Sequence, residues 1–105
     1  MTGAYSFVCK YSSTGALLGR LQELGGWDWG MGDSHWYGDY LACMPFSGVR
    51  IRIVDSPEST ERGWRYESDI RLRSSQTPMS VIDQAYRKLL AKIPAEDVKE
   101  IEPFD

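Results

Sequence analysis

The sequence predicts an α+β fold. We expect a single domain over residues 1–105 in the order β-α-β-β-β-α, a mainly antiparallel four-stranded sheet with two helices on one face. Three observations carry this expectation. The chain has 105 residues, the length of one domain, and can bury one core without metal or disulfide staples. Several segments alternate apolar and polar residues with a period of two, as a sheet with one buried face does. Two others repeat apolar residues at three and four, between helix start and stop signals.

The elements follow in chain order. In "AYSFVCKY", Tyr5, Phe7, Cys9 and Tyr11 alternate with Ser6, Val8 and Lys10, which is strand periodicity. Next, a hydroxyl of Ser13 or Thr14 can satisfy an orphan N–H at a helix start. Leu17, Leu18, Leu21 and Leu24 then share a helical face, and Gly25 suits the left-handed position that ends a helix. Gly19 weakens that helix by about 1 kcal/mol relative to Ala. The stretch "WDWGMGDSHWYGDY", Trp27 to Tyr40, holds Gly30, Gly32 and Gly38 and reads as loop or irregular turn. "DYLACMPF" reads as a strand that Pro45 ends or confines to an edge, and Ser47-Gly48 turns the chain. "VRIRIV" puts Val49, Ile51 and Ile53 on one face and Arg50 and Arg52 on the other. "DSPESTERG" reads as a polar hairpin loop. In "WRYESDIRLR", Trp64, Tyr66, Ser68, Ile70 and Leu72 point inward, and Arg65, Glu67, Asp69, Arg71 and Arg73 outward. The second helix opens with Thr77 as cap and Pro78 at its first position. Ile82, Ala85, Tyr86, Leu89 and Ile93 form its stripe, and Pro94 stops it. Residues 95–105 form an acidic tail, with Val98, Ile101 and Phe104 at three-residue spacing: a short helical turn packed back on the domain, or a mobile end.

Composition narrows the function classes. Hydrophobic content of 42% and charged content of 26% belong to a soluble globular chain rather than a disordered or fibrous one. No 18-residue apolar run marks a membrane span, and the N-terminus lacks the pattern of a signal peptide. The expected location is cytoplasmic, where Cys9 and Cys43 are buried thiols. With two Cys, one His and no C-x-x-C, a zinc site is not expected, and no cofactor is. The net charge of −3 is unevenly spread. Residues 21–49 contain no Lys or Arg but carry Glu23, Asp28, Asp33 and Asp39. Arg50, Arg52, Arg62, Arg65, Arg71 and Arg73 follow within 24 residues. An acidic chain argues against non-specific nucleic-acid binding, although a local basic face could still support it.

The only His lies in "GDSH", which resembles the Gly-Asp-Ser block of GDS-type esterases and lipases. In that family the Ser is the nucleophile and a later Asp-x-x-His supplies the base. Here no His follows His35. Asp33, Ser34 and His35 are also neighbours in sequence, whereas triad partners converge through the fold. Asp28, Asp33 and Asp39 are five and six residues apart, unlike the alternating ligands of an EF-hand loop. The glycines do not follow the order of a phosphate loop. The expected function is therefore not enzymatic.

Two surfaces remain. The Trp-rich stretch combines aromatics, Gly and Asp without Lys, the composition of a protein-binding hot spot in which rings supply contact area at low entropy cost. Some of its rings should cap the core; the partner-binding candidates are Trp29, Asp33, His35, Trp36, Tyr37 and Asp39, and their charge favours a basic partner. The alternative site for nucleic acid or a phosphate ligand is the outward set Arg50, Arg52, Arg65, Arg71 and Arg73, diluted by Glu67 and Asp69. Sheet-based RNA readers carry aromatics on the open face, and here the aromatics of both Arg-bearing strands fall on the opposite parity.

From Leu17 to Leu72, the Leu-rich "LLGRLQEL", the segment "GDSHWYGDY", then "GVRIRIVDSP" and a later "GW" resemble small immunity proteins of bacterial toxin–immunity systems. The resemblance covers about half the chain. It implies a non-catalytic protein that binds a cognate toxin and blocks its active site. Phage-encoded inhibitors of host enzymes share the same physical profile. The expected function is that of a protein-binding module, an inhibitor or immunity-type protein whose partner is a toxin or host enzyme.

Overall fold

A computed structural model describes residues 2–34, 38–60, 63–73 and 76–102; the side chains of Thr2, Ser34 and residues 57–60 are outside that description. The elements are β1 (Thr2–Cys9), α1 (Thr14–Leu24), β2 (Gly30–Ser34), β3 (Gly38–Cys43), β4 (Val49–Thr60), β5 (Gly63–Leu72), α2 (Met79–Lys92) and β6 (Glu96–Glu100). The strands form one sheet in the order β2-β3-β4-β5-β1-β6, and every neighbouring pair is antiparallel. No helix among the described residues is long and apolar enough to cross a membrane.

The class is α+β as expected, but the sheet has six strands rather than four. One added strand is β2, in the stretch read as a loop. Its glycines keep the backbone hydrogen-bonding groups that a ladder needs, and β3 pairs with them from Gly30↔Ala42 to Ser34↔Gly38. At Gly32 the missing side chain is required: a Cβ there would come 2.5 Å from the Tyr40 ring, which lies across the strand. An aromatic laid over a cross-strand glycine supplies the packing that the glycine lacks.

The other added strand is β6, in the acidic tail. It hydrogen-bonds to β1 rather than forming a helical turn, with Tyr5 facing Glu100 and Ser6 facing Lys99. The register shifts between Ser6 and Val8, where Asp97 adopts φ 52°, a left-handed conformation that Asp tolerates. The Ile101 N–H then donates to the Ala4 carbonyl at 3.1 Å. The cause lies in β1: Ala4, Ser6 and Val8 are as buried as Tyr5, Phe7 and Cys9. A strand buried on both faces cannot leave an edge unpaired without orphaning backbone groups.

β4 also runs further than the periodicity indicated. Asp55–Thr60, read as a hairpin loop, stays in the strand, with a register shift between Asp55 and Ser59 around Pro57, which has no N–H to donate.

The helices follow their signals closely. The Ser13 hydroxyl accepts from the Ala16 N–H at 3.1 Å, and Gly25 ends α1 at φ 69°. α2 begins one residue later than expected, with Pro78 rather than Thr77 at the cap and no side-chain cap bond. Leu17 and Leu21 of α1 and Ile82, Tyr86 and Leu90 of α2 join Tyr5, Phe7, Ile51, Ile53, Tyr66 and Ile70 in one core, so both helices cover the same face. Tyr5 meets Tyr86 and Phe7 stacks on Tyr66, each with ring centroids 5.8 Å apart. Cys9 and Cys43 are free and buried, as expected. Burial pushes both thiols above their ordinary range, Cys43 to about 12 with Asp28 adding to the effect, so neither is a ready nucleophile.

The face opposite the helices is polar, but its centre is shut from water. Asp69, expected to point into solvent, is 1% exposed. Arg52 donates to both of its oxygens, Nε to Oδ1 at 3.1 Å and a terminal nitrogen to Oδ2 at 2.9 Å. Arg65 reaches from β5 over β1, donating to the Ser6 hydroxyl at 2.7 Å and to the Asp97 carboxylate on β6. Both arginine side chains are largely covered, and their heads pair with acids. Trp64, expected to point inward, is 41% exposed at the start of β5.

Candidate functional site

The candidate stretch is a hairpin. β2 and β3 pair over five residues, and the three residues between Ser34 and Gly38 connect them. His35, Trp36 and Tyr37 are those three and lie outside the described residues, as does the Ser34 side chain. The described part separates into a core end and a solvent end.

Trp29 belongs to the core. It is 2% exposed, not available to a partner, and its place among the partner-binding candidates is corrected. Its ring lies 6.4 Å from that of Trp27, which meets Phe46 edge-on at 6.2 Å. Gln22 on α1 donates to the Trp29 carbonyl at 3.5 Å and holds the approach to β2 against the helix. The aromatics at this end cap the core, as some of them were expected to.

Asp33 and Asp39 sit at the other end, directly opposite each other across the hairpin, and both are exposed. Like charges directly opposite on adjacent strands repel, at a cost of about 0.2–1 kcal/mol. Among the described residues neither carboxylate has a hydrogen bond or ion pair to offset this. Met31, on the same face of the strand, is 43% exposed next to the fully buried Leu41.

β2 is also an edge. It pairs with β3 alone, so its outer N–H and C=O groups have no strand partner among the described residues. The two sheet edges differ. Along β6, Glu96, Asp97, Lys99 and Glu100 are all exposed, and the strand carries a register shift, two devices that block pairing with other chains. β2 reads Gly-Met-Gly-Asp-Ser, with no Lys, no Pro and no register shift.

The five arginines of the alternative site are split by the fold. Arg52 is held by Asp69, and Arg65 by Ser6 and Asp97. Arg71 donates from Nε to Asp69 Oδ2 at 3.2 Å. Arg50 lies directly opposite Arg71 on the neighbouring strand. Among the described residues, Arg50 and Arg73 make no ion pair. The broad arginine face therefore reduces to one end of β4 and β5. Among the described residues, no group of three or more His, Cys, Asp or Glu side chains converges in a way that could hold a metal ion.

Sequence reasoning missed two exposed methionines beside these charges, Met31 on β2 and Met44 after β3. The signal was present in "GMGDS" and "ACMPF" but depended on knowing where each strand lies in the sheet. Comparison with protein-family models finds no match for the chain, and comparison with curated proteins finds none.

Proposed function

We propose that the chain is a non-catalytic protein-binding module that captures a partner through the β2–β3 hairpin, in the manner of an inhibitor or immunity-type protein. The occupant is an extended basic segment of the partner, added as a strand beside β2. The observation that carries this reading is the exposed Asp33–Asp39 pair on an edge strand that has no Lys, no Pro and no register shift. Main-chain bonds along such an edge give affinity, and side chains on alternate positions give specificity. Lys or Arg side chains on the incoming strand would relieve the repulsion between the two carboxylates, and the segment 21–49, which carries acids but no Lys or Arg, would steer them in. A second copy of this chain is the wrong occupant, because joining two β2 edges would bring two acid pairs together.

The test uses a partner isolated by affinity capture from the native host, purified and titrated against the wild type and Asp33→Asn/Asp39→Asn. Binding should weaken by about tenfold or more in the variant, mainly through slower association, and the wild-type rate should fall with added salt. Equal affinity for both proteins would remove the hairpin from the account. Strong salt-dependent binding of RNA or DNA by the wild type would replace it with the nucleic-acid reading.

A further inference from the structure

At the end of the sheet remote from the Asp33–Asp39 pair, β4 begins and β5 finishes beside a cleft of about 400 Å³. Arg50, Arg71 and Arg73 line it together with Met44 and Leu72, over the backbone at Gly48 and Val49. We propose that this cleft binds a small phosphomonoester, with the phosphate on the arginines and a compact apolar group on Met44 and Leu72.

The charge arrangement is the first support. Arg50 and Arg71 face each other across the strand pair, a like-charge contact in the same class as Asp33–Asp39. Arg73 follows two residues after Arg71, just past the end of β5, and lines the same cleft. Asp69 reaches this group and is shared: Arg52 donates to both of its oxygens and Arg71 to one. Among the described residues Arg50 and Arg73 make no ion pair, so these two guanidiniums carry the uncompensated charge. Glu67 lies further along β5, opposite Val54, and Arg52 and Asp69 occupy the pair between it and the Arg50–Arg71 pair. The excess is positive and suits a dianion better than a monoanion. Planar guanidinium forks match the geometry of a phosphate's oxygens.

The apolar surface is the second support. Met44 is 72% exposed, beside half-buried Leu72. A bare oxyanion would leave both wet; a ligand with an apolar group would cover them. The cleft volume lies at the small end of ligand clefts, about 300–1,000 Å³.

The third support is that the frame is already built. The Val49 N–H donates to the Phe46 carbonyl at 3.0 Å, and the Arg73 N–H donates to the Gly48 carbonyl at 2.9 Å. The first closes the turn before β4 and the second ties that turn to the end of β5, so the ligand has to order the arginine side chains but not the backbone that carries them, which lowers the cost of binding.

The experiment is a titration of the full chain with phenyl phosphate, inorganic phosphate and benzoate, followed by calorimetry or amide chemical shifts. Phenyl phosphate should bind saturably and about tenfold more tightly than inorganic phosphate, with benzoate weakest. Arg50→Gln/Arg73→Gln should weaken phenyl phosphate by about tenfold or more. Met44→Ser should bring phenyl phosphate close to inorganic phosphate without changing the latter. The arginine variant should melt no lower than the wild type, because it removes like-charge repulsion, so lost binding is not lost fold. The proposal is overturned by absence of saturable binding, by equal binding in the arginine variant, or by single-stranded RNA competing far more strongly than phenyl phosphate. Asp33→Asn/Asp39→Asn should leave phenyl phosphate binding unchanged, which separates this site from the hairpin.

Discussion

Asp69 brings a negative charge into the middle of the sheet, and two guanidiniums close over it. Desolvating a carboxylate is costly, and the geometry around this one compensates: a bidentate partner and a third donor occupy its lone pairs. Removing it takes from the buried Arg52, which faces Ala42 on its other side, the carboxylate that it grips with two nitrogens. Asp69→Ala should therefore cost about 3–5 kcal/mol in chemical denaturation, whereas Arg52→Met combined with Asp69→Leu should recover most of that loss. A double variant no more stable than Asp69→Ala would show that the pair is not what holds this region. Strand alternation placed Asp69 correctly on the face away from the helices. It could not show that Arg52 and Arg65 would be largely covered on that face, paired with acids. Trp29 has the same lesson in reverse. Its composition context suited a contact surface, but Gln22 and Trp27 draw it into the core through contacts that no local pattern encodes.

Elements were legible where periodicity and punctuation agreed. β1, β5, α1 and α2 each carry an uninterrupted apolar pattern between recognisable ends, and the structure places them within a few residues of expectation. β2 and β6 were not legible because both are strands by virtue of their neighbours. β2 depends on β3 and the Tyr40 ring, and β6 on the open side of β1. β6 is held in part by charge. Hydrogen bonding from Arg65, helped by Lys99, keeps the Asp97 carboxyl below its ordinary 3.8. A lowered folded value means that the ionised form is favoured by folding. The contribution is fully present above the ordinary carboxylate value and is lost as the pH falls through the lower folded one. Amide exchange at Ile101 and along β6 should accelerate relative to β5 as the pH drops below about 3.8. Asp97→Asn should show the faster exchange already at neutral pH. Equal protection in both proteins would leave the backbone ladder as the sole tether.

At the scale of the molecule, the sheet is charged in opposite senses at its two ends. The Asp33–Asp39 pair lies past the Tyr40↔Val54 pairing, while the Arg50–Arg71 pair lies near the start of β1. Each is a cross-strand contact that folding alone would avoid, which is why both read as places for a ligand of opposite charge. The α+β class followed from the sequence because one core face and two amphipathic helices suffice to define it. Which edge lay open did not, since that depends on strand order, and strand order is set by long-range pairing. Amide protection of the chain with and without its purified partner tests the hairpin most directly. The account predicts that the amides of Gly30–Ser34 pointing away from β3 gain protection on binding while those of β6 do not change. Protection confined to the helices, or to the cleft around Arg50 and Arg73, would contradict it.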